Sequence, residues 1–159
     1  MESRVQPPLE RLPRREKASM VPAPVPGEPG LFAVDATWGT IAPMTLDGDV
    51  ITIGELELIS HVEAGGALVD TRRAHFVEQG LIPTARQIVH DEIVARSEEL
   101  DRDDVTVLYC NGPQCAATPE AIAALLASGY PPESLRFYRG GIHDWVTLGL
   151  PLAPPESSS

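Results

Sequence analysis

Two side chains in this sequence can serve as soft nucleophiles, and both fall in one short stretch. "VTVLYCNGPQCAATPEAIAALL", from Val105 to Leu126, holds Cys110 and Cys115, the two cysteines of the chain. A thiolate attacks sulfur, carbon or phosphorus, and it forms near neutral pH only beside amides or positive potential. An apolar, β-branched run leads into Cys110, and a helical pattern leads out past Thr118. That order puts Cys110 at the C-terminal end of a strand, where ligand sites of open α/β sheets lie. The amides of Asn111, Gly112, Gln114, Cys115, Ala116, Ala117 and Thr118 can point into the loop, and the dipole of the next helix adds positive potential. Both effects favour an anion, so the position predicts a lowered pKa at Cys110. Gly112 permits the tight curl and Pro113 stiffens it. Position alone leaves an inert, buried strand-end thiol equally open.

Cys115 has two readings of equal weight. It is a resolving thiol that attacks a modified Cys110, or a small residue that packs the loop. No metal is expected: two cysteines without a nearby pair of histidines do not supply four ligands.

The elements that must hold this loop follow from the pattern around it. "TIGELELISHVEAGG" reads as a helix, with Thr52 and Glu55 at capping-box spacing, a face of Ile53, Leu56, Ile59 and Val62, and a stop at Gly65. "ALVDT" reads as a buried strand, "RAHFVEQG" as a short helix ending at Gly80, and "HDEIVARSEEL" as a further helix. "VTVLYC" is the clearest strand. Thr118 is placed as N-cap with Pro119 at the first helical position, and Ile122, Leu125 and Leu126 form the core face up to Gly129. "SLRFYR", a Gly-Gly turn and "IHDWVTLG" complete a strand, a turn and a last helix. Strands alternating with helices imply an α/β fold, an open parallel sheet with helices on both faces.

The flanking motifs carry a resemblance. Asp70-Thr71-Arg72 after the early strand, "GLIPTA" from Gly80 to Ala85, Cys110 with its loop, and Gly140-Gly141 with Trp145 follow one another as in rhodanese-family sulfurtransferases. The chain resembles a single-domain rhodanese-like protein over 50–152. Leu81 and Thr84 stand where that family's Gly-His-Ile-Pro-Gly-Ala turn has His and the second Gly. The resemblance implies that Cys110 takes a sulfane sulfur from a small-molecule or protein-bound donor, holds it as a persulfide, and passes it to a thiol acceptor without any cofactor. It further implies that Asp70 and Arg72 brace the loop and that Arg139 contacts an anionic substrate, against a surface salt bridge as its plainer reading. The loop departs from the family in its greater length and in holding no Arg or Lys. A phosphatase of the same fold depends on such an Arg to clamp its oxyanion, so phosphatase activity is not expected. The alternatives are a catalytically silent interaction module and a thiol-redox protein working through the Cys110/Cys115 pair.

Composition bounds the rest. In 159 residues, 43% hydrophobic, there is room for one domain with tails. Residues 1–30 are Pro-rich and read as a disordered tail, 31–49 as an extension with one or two short strands, and 153–159 as a flexible C-terminal tail. A net charge of -11 speaks against a nucleic-acid partner. No apolar run is long enough to cross a membrane, and the basic N-terminus has no apolar stretch behind it, so a cytoplasmic location is expected. His143 and Asp144, neighbours in sequence, are not expected to face each other on one helix.

Overall fold

The computed structural model describes residues 23–30, 32–33, 49–113 and 115–155. Its main sheet is built from four short runs rich in apolar and β-branched residues and a two-residue polar edge strand. These are β3 (Ile51–Ile53), β4 (Ala67–Asp70), β5 (Arg86–Gln87), β6 (Thr106–Tyr109) and β7 (Leu135–Tyr138). All pair in parallel, in the order β3-β7-β6-β4-β5. The three helices are α1 (Glu55–Glu63), α2 (Ala117–Ala127) and α3 (Gly141–Thr147).

Period-two alternation sorts the strands' side chains onto two faces. Leu68, Val107, Tyr109 and Tyr138 pack with Leu58 of α1 and with Ile142, Trp145 and Val146 of α3. Val69, Leu108, Leu135 and Phe137 pack on the other face with Ala121, Ile122 and Leu125 of α2. Both faces are therefore covered, which is why β6 is buried at every residue. Each fully buried Leu or Ile contributes about 1.5–3 kcal/mol of transfer free energy. The connection after β4 runs outward to β5, whereas the one after β6 runs the opposite way to β7. The order reverses between β4 and β6, and a crevice opens there at the C-terminal edge.

Several local expectations change. α1 begins two residues later than its capping-box spacing suggested. Thr52 lies in β3, Gly54 is the cap, and the Gly54 amide donates to Glu57 Oε1 at 3.0 Å. The long-range pairing of Ile51–Ile53 with Arg136–Tyr138 claims those residues for the sheet. The helix face shifts accordingly: Leu58 is buried, and Leu56 is 81% exposed. Gly65 does end the helix, at φ +82°, with the Gly66 amide reaching back to the His61 carbonyl. The helix expected in "HDEIVARSEEL" is two short 3-10 turns, His90–Glu92 and Ser97–Glu99. "RAHFVEQ" is also 3-10, over Ala74–Gln79.

At the edges of the domain, β1 (Ala23–Pro24) pairs antiparallel with β2 (Phe32–Ala33). The Pro-rich reading of residues 1–30 gave no strand there, and it is corrected at those two residues. β2 is a short strand within the 31–49 extension where one or two were expected, and 34–48 lie outside the described residues. Ala153 exchanges two backbone hydrogen bonds with Leu81, at 2.9 and 2.8 Å, so the folded chain runs one residue past the expected limit of 152. Trp145 is buried, as expected of a core residue, and its indole N–H donates to the Pro151 carbonyl at 2.7 Å.

Candidate active site

Asp70 and Tyr109 are register partners at the ends of adjacent strands, so the chain leaves β4 and β6 side by side. Cys110 is the first residue beyond β6, 1% exposed. The loop doubles back through a turn in which the Cys115 amide donates to the Gly112 carbonyl at 3.1 Å. That turn returns Cys115 to Cys110. Cys110 Sγ lies 3.7 Å from the Cys115 carbonyl oxygen, its thiol donating there, and the two thiols are close enough to perturb each other's ionisation. Both cysteines are free and buried.

The loop is pinned from two sides. From α3, the Ile142 amide donates to the Cys110 carbonyl at 3.1 Å and the His143 amide to the Asn111 carbonyl at 2.8 Å. Gly141, at φ +61°, permits this approach: a Cβ there would stand 2.4 Å from the Cys110 carbonyl oxygen. From β4, Thr71 donates both its amide and its hydroxyl to the Tyr109 carbonyl, each at 3.0 Å. Its hydroxyl also meets that of Thr118 at 2.9 Å, and Thr118 eases the charged form of the Cys110 sulfur.

Thr118 is thus not the N-cap the sequence suggested. The helix starts at Ala117 with Ala116 as its cap, and Thr118 points beneath the loop, fully buried. Its hydroxyl has stronger partners there than the free helix amides. Pro119 falls at the third helical position, still within the first turn, where no backbone bond is lost. Thr71 was quoted in the sequence motif without a role. Strand alternation was the available signal: Asp70 and Arg72 turn one way, so Thr71 turns the other, toward the loop.

The electrostatics correct the central expectation. Burial pushes the Cys110 thiol well up, Cys115 adds to the rise, and Thr118's two hydrogen bonds oppose it. Cys115 is instead pulled down to about 6, first by the hydrogen bond from the Cys110 thiol, then by the Ala117 and Asn111 amides and the Arg72 charge, against its own burial. The loop amides do gather around sulfur, but Asn111 and Ala117 serve Cys115 and Thr118 serves Cys110. The Cys115 amide is taken by Gly112, and Gln114 lies outside the described residues. Within the pair, negative charge is therefore favoured on Cys115 over Cys110.

Asp70 and Arg72 form a fully buried ion pair. Arg72 Nε meets both Asp70 oxygens at 3.0 and 3.1 Å, and Nη2 meets Oδ2 at 2.8 Å. The guanidinium also donates to the Phe76 and Gly80 carbonyls, and more distantly, at 3.4 Å, to Asn111 Oδ1 at the foot of the loop. Arg139 is the first residue beyond β7 at the same edge, partly buried, with no hydrogen bond or ion pair to any other described residue. Two further contacts were not read from sequence. Tyr138 donates to Glu55 Oε2 at 2.8 Å, and His143 Nδ1 lies 3.0 Å from Asp144 Oδ1. The expectation that His143 and Asp144 do not face each other is wrong; in the first turn of α3 their side chains fold together. No group of three or more metal-ligating side chains occurs among the described residues, and no described helix is long and apolar enough to cross a membrane.

Comparison with known proteins matches this architecture. The model of the Rhodanese-like domain family matches residues 55–148. A sulfurtransferase of Allochromatium vinosum is 37% identical over 89 residues, which cover 56% of this chain and 79% of that protein. The HTH-type transcriptional regulator Rv0324 of Mycobacterium tuberculosis is 34% identical over 105 residues, covering 65% of this chain and 44% of the regulator. Among solved structures, a thiosulfate sulfurtransferase from Pseudomonas aeruginosa superposes with a TM-score of 0.57 at 22% identity, over 68% of this chain and 21% of that one, a likeness of fold. With an all-parallel sheet covered on both faces and a cysteine loop between β6 and α2, the chain belongs to the rhodanese-like domain family.

Proposed function

We propose that this protein is a sulfurtransferase that carries sulfane sulfur on Cys110. The observation that carries the reading is the placement of Cys110 at the end of the middle strand, with Thr118 at the start of α2 favouring charge on its sulfur. Cys110 Sγ attacks the donor's sulfane sulfur, the donor leaves with the bonding electron pair, and Cys115, the thiol of the pair with the lowered pKa, accepts the Cys110 proton. The product is a Cys110 persulfide anion. Thr118, the loop amides and the dipole of α2 oppose its charge with donors already in place. A thiol acceptor then takes the outer sulfur. Arg139 is the cation available for the donor's anionic group, since every other described arginine already has a partner.

The test is intact mass after anaerobic incubation with thiosulfate or a low-molecular-weight persulfide. Wild type passes through a species one sulfur atom heavier, whereas Cys110→Ser gains no sulfur at any time. Arg139→Ala raises the KM for the dianion thiosulfate about tenfold or more, the loss of one charge-assisted contact, and changes that for an uncharged donor little. Sulfur uptake by Cys110→Ser overturns the assignment of the nucleophile. Absence of any mass change in wild type points instead to a silent binding module.

A further inference from the structure

The two cysteines of the chain share one loop, are both buried, and are brought together by its turn, with Cys110 Sγ 3.7 Å from the Cys115 carbonyl oxygen. A sulfur carrier needs one of them. We infer that the second gives the protein a further activity, reduction of the carried sulfur to sulfide, with Cys115 as the thiol that releases it. The inference rests on the persulfide reading above and goes beyond it in naming a product and a co-reactant class.

The chemistry follows from what each sulfur can reach. After transfer, Cys110 bears Cys–S–S⁻ and Cys115 holds the proton it accepted. Cys110 Sγ, the inner sulfur, is 1% exposed, so an external thiol meets only the outer sulfur. Cys115 sits beside the inner sulfur, held there by the turn from the Gly112 carbonyl to the Cys115 amide. Attack by Cys115 Sγ on Cys110 Sγ forms the Cys110–Cys115 disulfide and breaks the bond to the outer sulfur. That sulfur leaves with the electron pair and the Cys115 proton, as HS⁻. Atoms and charge balance: the two cysteines lose two electrons, and one sulfane sulfur gains them. The Asn111 and Ala117 amides favour Cys115 as the attacking thiolate. Attack within one loop runs at an effective concentration no free thiol in solution matches. Return to the dithiol requires a two-electron dithiol reductant, which exchanges with the disulfide through Cys115, the more exposed sulfur at 9% against 1%.

A single-turnover experiment separates this activity from the transfer it rests on. The full chain and its Cys115→Ser variant are reduced, freed of reductant, and mixed anaerobically with one equivalent of a low-molecular-weight persulfide. Intact mass and released sulfide are then followed together. Wild type ends two hydrogens lighter with one sulfide released per chain, whereas Cys115→Ser, slower to load without its proton acceptor, ends one sulfur heavier and releases none. With excess dithiothreitol, wild type makes sulfide continuously and Cys115→Ser falls at least tenfold. If wild type instead keeps the added sulfur as long as Cys115→Ser does, sulfide release is overturned and the persulfide carrier stands. If neither protein gains sulfur or releases sulfide, both readings fall.

Discussion

The ends of β4 and β6 lie side by side on one edge of the sheet, and they handle buried charge in opposite ways. At the end of β4, Arg72 is closed on every side by Asp70 and by the Phe76 and Gly80 carbonyls. At the end of β6, two sulfurs share one thiol proton, and the donors around them are divided between the two. The first arrangement has one low-energy proton configuration and holds backbone in place. The second has a proton and a negative charge that move a short way between neighbouring atoms. Chemistry belongs to the second, and the first keeps its geometry from drifting.

The comparison breaks most visibly if the closed cluster is opened. Asp70→Ala leaves the Arg72 guanidinium buried without its counter-charge, which costs about 3–5 kcal/mol. Urea unfolding of wild type and variant checks this. A loss under about 1 kcal/mol, the range of exposed ion pairs, shows that water reaches Arg72 and that the brace is not closed. Sulfur uptake by whatever fraction stays folded then reports whether the loop keeps its shape without the brace, because Arg72 touches Asn111 only at long range.

The two regions also differ in how far the sequence discloses them. Asp70 and Arg72 were legible as a brace because a motif in order, next to a buried strand, leaves little else for them to do. β6, α2 and the Gly140-Gly141 turn were legible because apolar runs and glycines act over a few neighbouring residues. The start of α1 was not, since its register depends on β3 pairing with β7, more than eighty residues away in the chain. The charge state of Cys110 was not legible either. Spacing gives the strand end and the helix start, whereas depth decides the sign. One buried sulfur rises and its shallower neighbour falls, and no local pattern states which is deeper.

A second measurement sharpens the contrast through pH. The Cys115 pKa of about 6 in the fold lies below the ~8.5 of a free thiol. A depressed pKa contributes stability that is present above the unfolded value and lost as pH falls through the folded one. Cys110 has the opposite sign: its raised pKa costs stability as pH climbs past the free-thiol range. Stability should rise by about 1–3 kcal/mol between about pH 6 and 8.5 and decline above it. In Cys115→Ser the rising limb disappears, and so does thiolate absorbance titrating near 6. A rising limb retained in Cys115→Ser places the anion elsewhere.

The smallest effect concerns the turn that Arg72 helps to hold through Gly80. In "GLIPTA", Thr84 has φ +75°, the one positive-φ residue other than glycine among the described residues. A β-branched residue in the left-handed region crowds its own backbone, at roughly 1–2 kcal/mol. Thr84 is exposed, so its side chain has little packing to lose. Glycine adopts this conformation without strain, but it adds freedom to the unfolded chain worth about 0.4–1 kcal/mol. The two terms oppose, and the strain is the larger. Thr84→Gly should therefore stabilise the fold by about 0.5–1 kcal/mol, seen as a small upward shift of the urea midpoint with unchanged slope. Sulfur transfer should not change, because the Ala85 amide already closes the turn on the Ile82 carbonyl at 3.0 Å and Ile82 is held by the Tyr109 hydroxyl at 3.1 Å. A destabilised Thr84→Gly shows that the hydroxyl or methyl of Thr84 supports the turn, and that the strain at this corner is offset by contacts rather than merely tolerated.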